Sequence, residues 1–159
     1  MRGNRSEISP QSVSRTAPLS ACFVVVAQGV LAAAIFATCH WPPGPLAWVF
    51  AVCGALLGGW ALAEMRQSVI RVLPDVHPNA RLITSGPYRW IRHPMYAALL
   101  LLCAGAWLTD PSWLRLAMII SLGFVLLAKI RIEERSLEAR FPAYRDYARC
   151  TKRMIPGIW

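Results

Sequence analysis

The sequence predicts an all-α integral membrane protein with about four transmembrane helices, of which the last two form a helical hairpin, and a cytosolic amphipathic helix at its C-terminus. Apolar residues make up 56% of the 159 residues, and the mean hydropathy is +0.42. The apolar residues are gathered into long runs separated by Pro-rich or polar segments. The basic residues flank these runs, as they do in membrane proteins.

Two long apolar runs begin the chain. The first, Pro18 to Cys39, is long enough to cross a bilayer at 1.5 Å per residue. The polar, basic segment 1–17 before it is predicted to be disordered. The second run covers Leu46 to Ala63, and its glycines Gly54 and Gly58 form a small-residue face that allows a neighbouring helix to approach closely.

Two shorter apolar runs, 95–108 and 113–128, are predicted to form the helical hairpin. Asp110 and Pro111 between them are typical of a turn and a helix N-cap. From Lys129 onward the tail is amphipathic and basic, and Pro142 is predicted to end one helix and start another that contains Tyr144. Residues 18–159 are predicted to form a single domain.

Charge placement predicts the sidedness. With four crossings, the N-terminus, the connection 65–93 and the tail lie on one face, and every Lys or Arg except Arg115 lies there too. The positive-inside rule then predicts an inner-membrane protein with both termini in the cytosol. The same placement excludes nucleic acid as the reason for the net charge of +9, since these cations mark a membrane surface.

The cysteines predict neither a disulfide framework nor a metal site. The five cysteines contain no CxxC pair and no Cys/His ligand spacing, and four of them lie within apolar runs. Cysteine in such a run behaves as a small hydrophobic residue.

Residues 82–96, called the elbow here, are polar and aromatic between two apolar regions. Gly86-Pro87 predicts a tight turn, and His93-Pro94 predicts a helix start. Free backbone amides at such a start favour an anion. The predicted free amides are those of Met95, Tyr96 and Ala97. The alternative is that the Arg, Trp and Tyr side chains only anchor the chain at headgroup depth.

A second polar cluster, Lys129 to Arg135, follows the hairpin and is predicted to return to the depth of the elbow. Glu133 and Glu134 are carboxylates near the membrane, where ionisable groups are candidates for function. A solvated helix carrying salt bridges is the open alternative for this segment.

Together the two clusters resemble the isoprenylcysteine carboxyl methyltransferases and their relatives, the phospholipid N-methyltransferases. The motifs are Leu82-Ile83-Thr84-Ser85-Gly86-Pro87-Tyr88, Arg92-His93-Pro94-Met95-Tyr96 and Glu133-Glu134, followed by Leu137, Phe141, Tyr144, Tyr147 and Pro156. The resemblance covers residues 64–156. It implies an integral membrane enzyme that uses S-adenosyl-L-methionine, and the chain has no strand–GxGxxG–helix unit that would bind this cofactor in a soluble fold.

The resemblance also implies site residues. Those implied to bind the cofactor are Arg81, Leu82, Ile83, Tyr88, His93, Pro94, Met95, Tyr96 and Glu133. Those implied to act in catalysis are Arg131, Glu134 and His93. In the family an arginine before the paired glutamates engages the acceptor's carboxylate. The spacing here departs from that pattern: Arg131 is two residues before Glu133, and Lys129 lies a full turn before it, so both are open for that role.

The implied reaction is carboxylate O-methylation of a lipid, a lipidated molecule or a small amphiphile at the membrane. A carboxylate acceptor needs a cation to hold it, whereas an amine acceptor needs a base, for which Glu134 and His93 are candidates. Phospholipid amine N-methylation and a non-catalytic membrane protein with the same fold are the alternatives.

Overall fold

The computed structural model describes residues 19–39, 42–67 and 82–157, and these residues are helical with short connections. The prediction of an all-α fold is confirmed for this part of the chain. The predicted disordered segment 1–17 and the predicted cofactor residue Arg81 lie outside the described residues. The helices are α1 (Leu19–Ala37), α2 (Pro45–Gln67), α3 (Pro94–Thr109), α4 (Trp113–Arg140) and α5 (Tyr144–Cys150), with a 3₁₀ turn at Gly86–Arg89.

Two of the described helices, α2 and α4, are long and apolar enough to cross a membrane. α1 and α3 are shorter apolar helices, so the prediction of about four crossings stays a prediction for these two. Large apolar side chains point outward, with Phe23 74%, Leu56 69% and Phe124 68% exposed. An outer surface of this kind suits lipid rather than water.

The helices pack as two pairs, α2 against α3 and α1 against α4. A Cβ on Gly54 would lie 2.9 Å from Leu102 Cγ and 3.0 Å from the Ala98 carbonyl oxygen, and one on Gly105 would lie 3.0 Å from the Ala47 carbonyl oxygen. The predicted small-residue face is therefore confirmed as the α2–α3 contact. Although α3 and α4 follow each other, each packs more extensively on α2 or α1 than on the other.

The fourth apolar run and the first part of the amphipathic tail form one helix. α4 continues as one helix from Trp113 to Arg140, because residues 128–132 contain no glycine or proline to stop it. The buried stripe on α4 continues through its polar half at four-residue spacing. The stripe consists of Leu122, Leu126, Ile130 and Glu134. The helix ends at Phe141, which is extended before Pro142.

The turn between α3 and α4 is capped by Ser112 rather than by the predicted pair Asp110-Pro111. The Ser112 hydroxyl accepts a hydrogen bond from the Arg115 backbone N–H at 3.2 Å. The Arg115 side chain is 3% exposed and donates to the carbonyl oxygens of Thr38 and Asp110. The one cation predicted to lie outside therefore ties the end of α1 to this turn.

Candidate functional site

The elbow turns sharply at Gly86, whose φ of +58° is in the left-handed region that favours glycine. The end of α2 lies against this turn. The Ser85 hydroxyl donates to Glu64 Oε2 at 2.6 Å, and a Cβ on Gly86 would lie 2.5 Å from Glu64 Cγ. Gly86 therefore provides both the turn and the space for the Glu64 side chain, and sequence reasoning had missed Glu64.

The predicted helix start at His93-Pro94 is confirmed, since His93 is the N-cap residue of α3 and Pro94 is its first residue. Three free backbone amides were predicted at this helix start, and the prediction is wrong for two of them. The backbone N–H groups of Tyr96 and Ala97 both donate to the His93 carbonyl oxygen, at 3.1 and 3.2 Å. The non-helical conformation of His93 aims its carbonyl at these donors, which weakens the case for an anion at this helix start.

Glu133 lies at the centre of the polar cluster. Its carboxylate oxygens accept from the Tyr96 hydroxyl at 2.6 and 2.8 Å. Lys129 Nζ lies 3.9 Å from Glu133 Oε1 and 5.1 Å from the centre of the Tyr96 ring. The same ammonium donates to Gln28 Oε1 of α1 at 3.0 Å. Residues of α3 and α4 thus contact one carboxylate that remains partly open to solvent, and α1 joins the cluster through Lys129.

His93 lies between the two glutamates and is 7% exposed. Its Nδ1 is 3.7 Å from Glu133 Oε2, its Nε2 is 3.6 Å from Glu134 Oε1, and its ring stacks on Tyr96 with centroids 5.4 Å apart. Among the described residues, buried Nε2 has no hydrogen-bond partner. A buried polar atom in this state is a place where a bound molecule can make a hydrogen bond.

Glu134 is held by two guanidinium groups. Arg92 Nε lies 2.9 Å from Glu134 Oε1, and Arg153 Nη2 lies 3.1 Å from Oε2. Arg92 Nη1 also donates to the carbonyl oxygens of Ala148, at 2.9 Å, and Thr151. The donors of Arg92 are therefore directed at Glu134 and at the backbone carbonyls of Ala148 and Thr151.

Tyr88 brings an aromatic ring to the same cluster. Its carbonyl oxygen accepts from the Tyr147 hydroxyl at 2.6 Å, which holds α5 against the elbow. Burial first, and then the negative charges of Glu133 and Glu64, raise the pKa of Tyr88 to about 12. The Tyr88 hydroxyl is therefore a neutral hydrogen-bond donor near pH 7.

The remaining predicted residues have different surroundings. Ile83 and Pro94 are buried, Leu82 is half-buried, and Met95 is 40% exposed. Arg131 is exposed, and it is two positions from both Lys129 and Glu133, which at 100° per residue directs it to the opposite side of α4. The structure thus brings Lys129, and not Arg131, to the cluster.

The tail also pairs with the elbow through its backbone. The Arg92 N–H donates to the Lys152 carbonyl at 2.7 Å, the His93 N–H to the Arg153 carbonyl at 2.9 Å, and the Lys152 N–H to the Trp90 carbonyl at 3.1 Å. Sequence reasoning predicted the tail helix but missed this pairing and the role of Arg153. A short parallel bridge gives no periodic signal by which it can be recognised.

An apolar cavity of about 550 Å³ adjoins the elbow on its α2 side. This volume falls in the range of ordinary ligand pockets. The lining comes from α2, the elbow, α3 and the tail, and includes Trp60, Trp90, Leu101, Met154 and Pro156. The elbow therefore lies between the polar cluster and the cavity, and it contributes residues to both.

The fold and the cluster define a helical membrane protein with a charged and aromatic site at one end of its helices. The family model of phospholipid methyltransferases matches residues 46–143, and the chain belongs to that family. The predicted relationship to this group of membrane methyltransferases is confirmed.

Two curated proteins are similar to the chain. The cobalt-zinc-cadmium resistance protein CzcN of Cupriavidus metallidurans is 33% identical over 136 residues, covering 84% of the chain and 62% of CzcN. The nickel-cobalt-cadmium resistance protein NccN of Alcaligenes xylosoxydans xylosoxydans is 37% identical over 82 residues, covering 50% of the chain and 38% of NccN. The match spans less than two thirds of either relative.

Proposed function

We propose that this protein transfers a methyl group from S-adenosyl-L-methionine to a membrane-associated acceptor. The observation that carries this proposal is the Glu133–Tyr96–His93 cluster, which lies inside the matched region of a methyltransferase family. Its carboxylate is half-exposed, the buried Nε2 of its histidine has no hydrogen-bond partner among the described residues, and two aromatic rings lie beside it.

These residues fit the cofactor chemically. The Glu133 carboxylate is a partner for an ammonium group or for ribose hydroxyls, and the unpartnered Nε2 of His93 can exchange a hydrogen bond. The ring of Tyr88 attracts a sulfonium by cation–π interaction, whereas the Tyr96 ring already contacts His93 and Lys129. When bound, the cofactor supplies an electrophilic methyl carbon. The chain's own contribution is to align the acceptor with that carbon and to exclude water.

We propose an anionic acceptor, in keeping with the isoprenylcysteine carboxyl methyltransferases. Lys129 is half-buried and lies over the Tyr96 ring. Its ammonium attracts a carboxylate and repels a protonated amine. A carboxylate is nucleophilic without a base. Glu134 is one of the two base candidates, and both of its oxygens already accept hydrogen bonds from arginines. A reaction that needs no base, O-methylation of a carboxylate, is therefore favoured. Phospholipid amine N-methylation, with His93 as base, remains the alternative.

The apolar cavity supports an acceptor with a hydrocarbon part. Its lining residues are apolar, and Trp60 and Trp90 at its edge are 46% and 49% exposed. Burying a hydrocarbon chain there is favourable at roughly 25 cal/mol per Å². We therefore propose a lipid, a lipidated cysteine or another small amphiphile as the acceptor.

We further propose that α1 and α3 cross the membrane with α2 and α4, and that the site faces the cytosol. The cations of α4's polar half and of the tail then lie on the cytosolic side. Arg115, the exception, is buried and hydrogen-bonded at the other end of the bundle.

A binding titration of S-adenosylhomocysteine with the detergent-purified protein tests the cofactor assignment. We expect saturable binding, and its absence would refute the proposal. Transfer of a labelled methyl group to an S-prenylated cysteine carboxylate, compared with phosphatidylethanolamine, then separates the two acceptor classes. Label on the prenylated carboxylate supports our assignment, whereas label on the phospholipid amine supports the alternative.

The names of the curated relatives favour a second function, a role in resistance to heavy metals. In the described part of the chain, no group of three or more His, Cys, Asp or Glu side chains is placed to hold a metal ion. We propose that any such role acts through methyl transfer. A strain lacking the gene, complemented with Glu133→Gln, tests this: restored metal tolerance would show that the role is independent of the cofactor site.

A further inference from the structure

We infer that the tail segment, residues 151–157, is a working part of the methyl-transfer site, with Arg153 as a positioning residue for Glu134 and His93. This inference rests on the proposed function. The tail lies beyond residue 143, where the family match ends. Its role is therefore argued from its contacts alone.

The first support is the way in which Glu134 is held. Arg153 Nη2 and Nε lie 3.1 and 3.2 Å from Glu134 Oε2, and Arg92 Nε lies 2.9 Å from Oε1. Each carboxylate oxygen thus has a guanidinium partner, so the plane of the carboxylate is fixed. The Glu134 side chain is 12% exposed, and little water is available to replace either arginine.

The second support is the position of His93 beside this carboxylate. His93 Nε2 is 3.6 Å from Glu134 Oε1, which is too long for a hydrogen bond. The Glu134 carboxylate therefore lies beside the imidazole without accepting a hydrogen bond from it, and Nε2 remains available to a ligand. If Arg153 is removed, Oε2 loses its partner and Glu134 is free to rotate toward His93.

The third support is the backbone of the tail. The Arg153 carbonyl accepts the His93 N–H at 2.9 Å, so the residue that fixes Glu134 also fixes the main chain of His93. Arg153 thereby acts on the site twice, through its side chain on Glu134 and through its carbonyl on His93. Loss of its side chain leaves the backbone hydrogen bond in place, which allows the electrostatic contribution to be measured separately.

The experiment compares Arg153→Met with Arg149→Met by S-adenosylhomocysteine titration of the full chain in detergent. Arg149 is a matched control because its ion pair with Asp146 at 3.6 Å is exposed on both sides, at 81% and 82%. We expect about tenfold weaker binding for Arg153→Met, and binding equal to the parent for Arg149→Met. Parental affinity in Arg153→Met would overturn the inference.

A double-mutant cycle with Glu134→Gln distinguishes positioning from general destabilisation. If Arg153 acts through Glu134, Arg153→Met adds no further loss of binding to Glu134→Gln. If the two losses multiply, Arg153 acts independently and the inference is wrong. Arg153→Gln, which keeps a donor, replaces Arg153→Met if that variant does not fold, and parental affinity in it would equally overturn the inference. A parent chain that fails to bind S-adenosylhomocysteine refutes the proposed function itself, which separates the two failures.

Discussion

At the scale of single residues, the two adjacent glutamates have different surroundings and therefore different expected roles. Glu133 is half-exposed, and its partners are the Tyr96 hydroxyl and the Lys129 ammonium. Glu134 is nearly buried between arginines. Side chains at neighbouring positions on a helix point 100° apart. This difference in direction leaves the Glu133 carboxylate accessible to a ligand and places the Glu134 carboxylate among the arginines.

Replacement of Glu133 by Gln is expected to weaken cofactor binding by about 10- to 150-fold, since a charge-assisted hydrogen bond contributes roughly 1.5–3 kcal/mol. The size of the side chain is kept, so thermal unfolding in detergent should change little. The measurement is a titration with S-adenosylhomocysteine. Glu138→Gln is the control, because Glu138 is exposed; equal losses at both positions would favour the solvated-helix interpretation of this segment.

The substitution His93→Asn distinguishes the role of His93 in starting α3 from its role in the site. Asn is a good N-cap residue, so α3 should still begin normally and the melting temperature should hold. The stacking of His93 on Tyr96 and both ring nitrogens near the glutamates are lost. We expect binding of S-adenosylhomocysteine to weaken tenfold or more. If the variant binds as tightly as the parent, His93 is only a structural residue.

At the scale of the elements, close helix contacts set the position of the elbow. α2 carries Glu64 against Gly86, and α3 begins at Pro94, within the C-terminal part of the elbow. Any change in the α2–α3 distance is therefore transmitted to both ends of this loop. The distance is short because each helix contributes a glycine to the contact, Gly54 from α2 and Gly105 from α3.

The contact at Gly54 can be tested by adding one methyl group. In Gly54→Ala the new Cβ would lie 2.9 Å from Leu102 Cγ and 3.0 Å from the Ala98 carbonyl oxygen, so α2 and α3 must separate. We expect a loss of about 1–3 kcal/mol, as in overpacked cores. Thermal unfolding in detergent measures it.

Gly59→Ala on the same helix provides the comparison, because a Cβ there meets nothing within 4 Å. Alanine has the higher helix propensity, so this variant should be as stable as the parent or gain up to about 1 kcal/mol. A Gly54→Ala protein as stable as Gly59→Ala would contradict the close packing of α2 and α3.

At the scale of the whole molecule, the polar contacts lie at two separate levels. The cluster around Glu133 and Glu134 belongs to one end of α3 and α4, and the Arg115 contacts belong to the other. A bundle of apolar helices with polar groups at its two ends suits a bilayer, because the hydrocarbon region offers no hydrogen bonds.

Reporter fusions test the proposed topology. We expect a reporter active only in the cytosol to be active at both the N- and the C-terminus, and a reporter active only outside to be active when inserted next to Asp110. The physical reason is the cation distribution, with Arg115 as the exception. A C-terminus on the outer face with a cytosolic N-terminus would rule out four crossings.

The sequence by itself determined the helical class, the positions of the apolar helices apart from the end of α4, and the turns at Gly86 and Pro94. These features depend on local properties: run length, glycine at Gly86, and proline at Pro94 and Pro142. The motif resemblance likewise determined the family. Local sequence reasoning failed at two helix starts: Ser112 rather than Asp110-Pro111 caps α4, and the amides of Tyr96 and Ala97 donate to the His93 carbonyl.

The tertiary structure alone decided which charged groups are partners. Gln28 and Lys129 are separated by 101 positions, Arg92 and Glu134 by 42, and Arg153 and Glu134 by 19. No periodicity connects such positions, so the sequence did not pair Arg92 with Glu134 and left Lys129 and Arg131 equivalent. The physical reason is that helix packing sets these distances. The rotation of α4 directs Lys129 inward and Arg131 outward. α4 gives Arg92 the Glu134 carboxylate, and the returning chain gives it the carbonyls of Ala148 and Thr151.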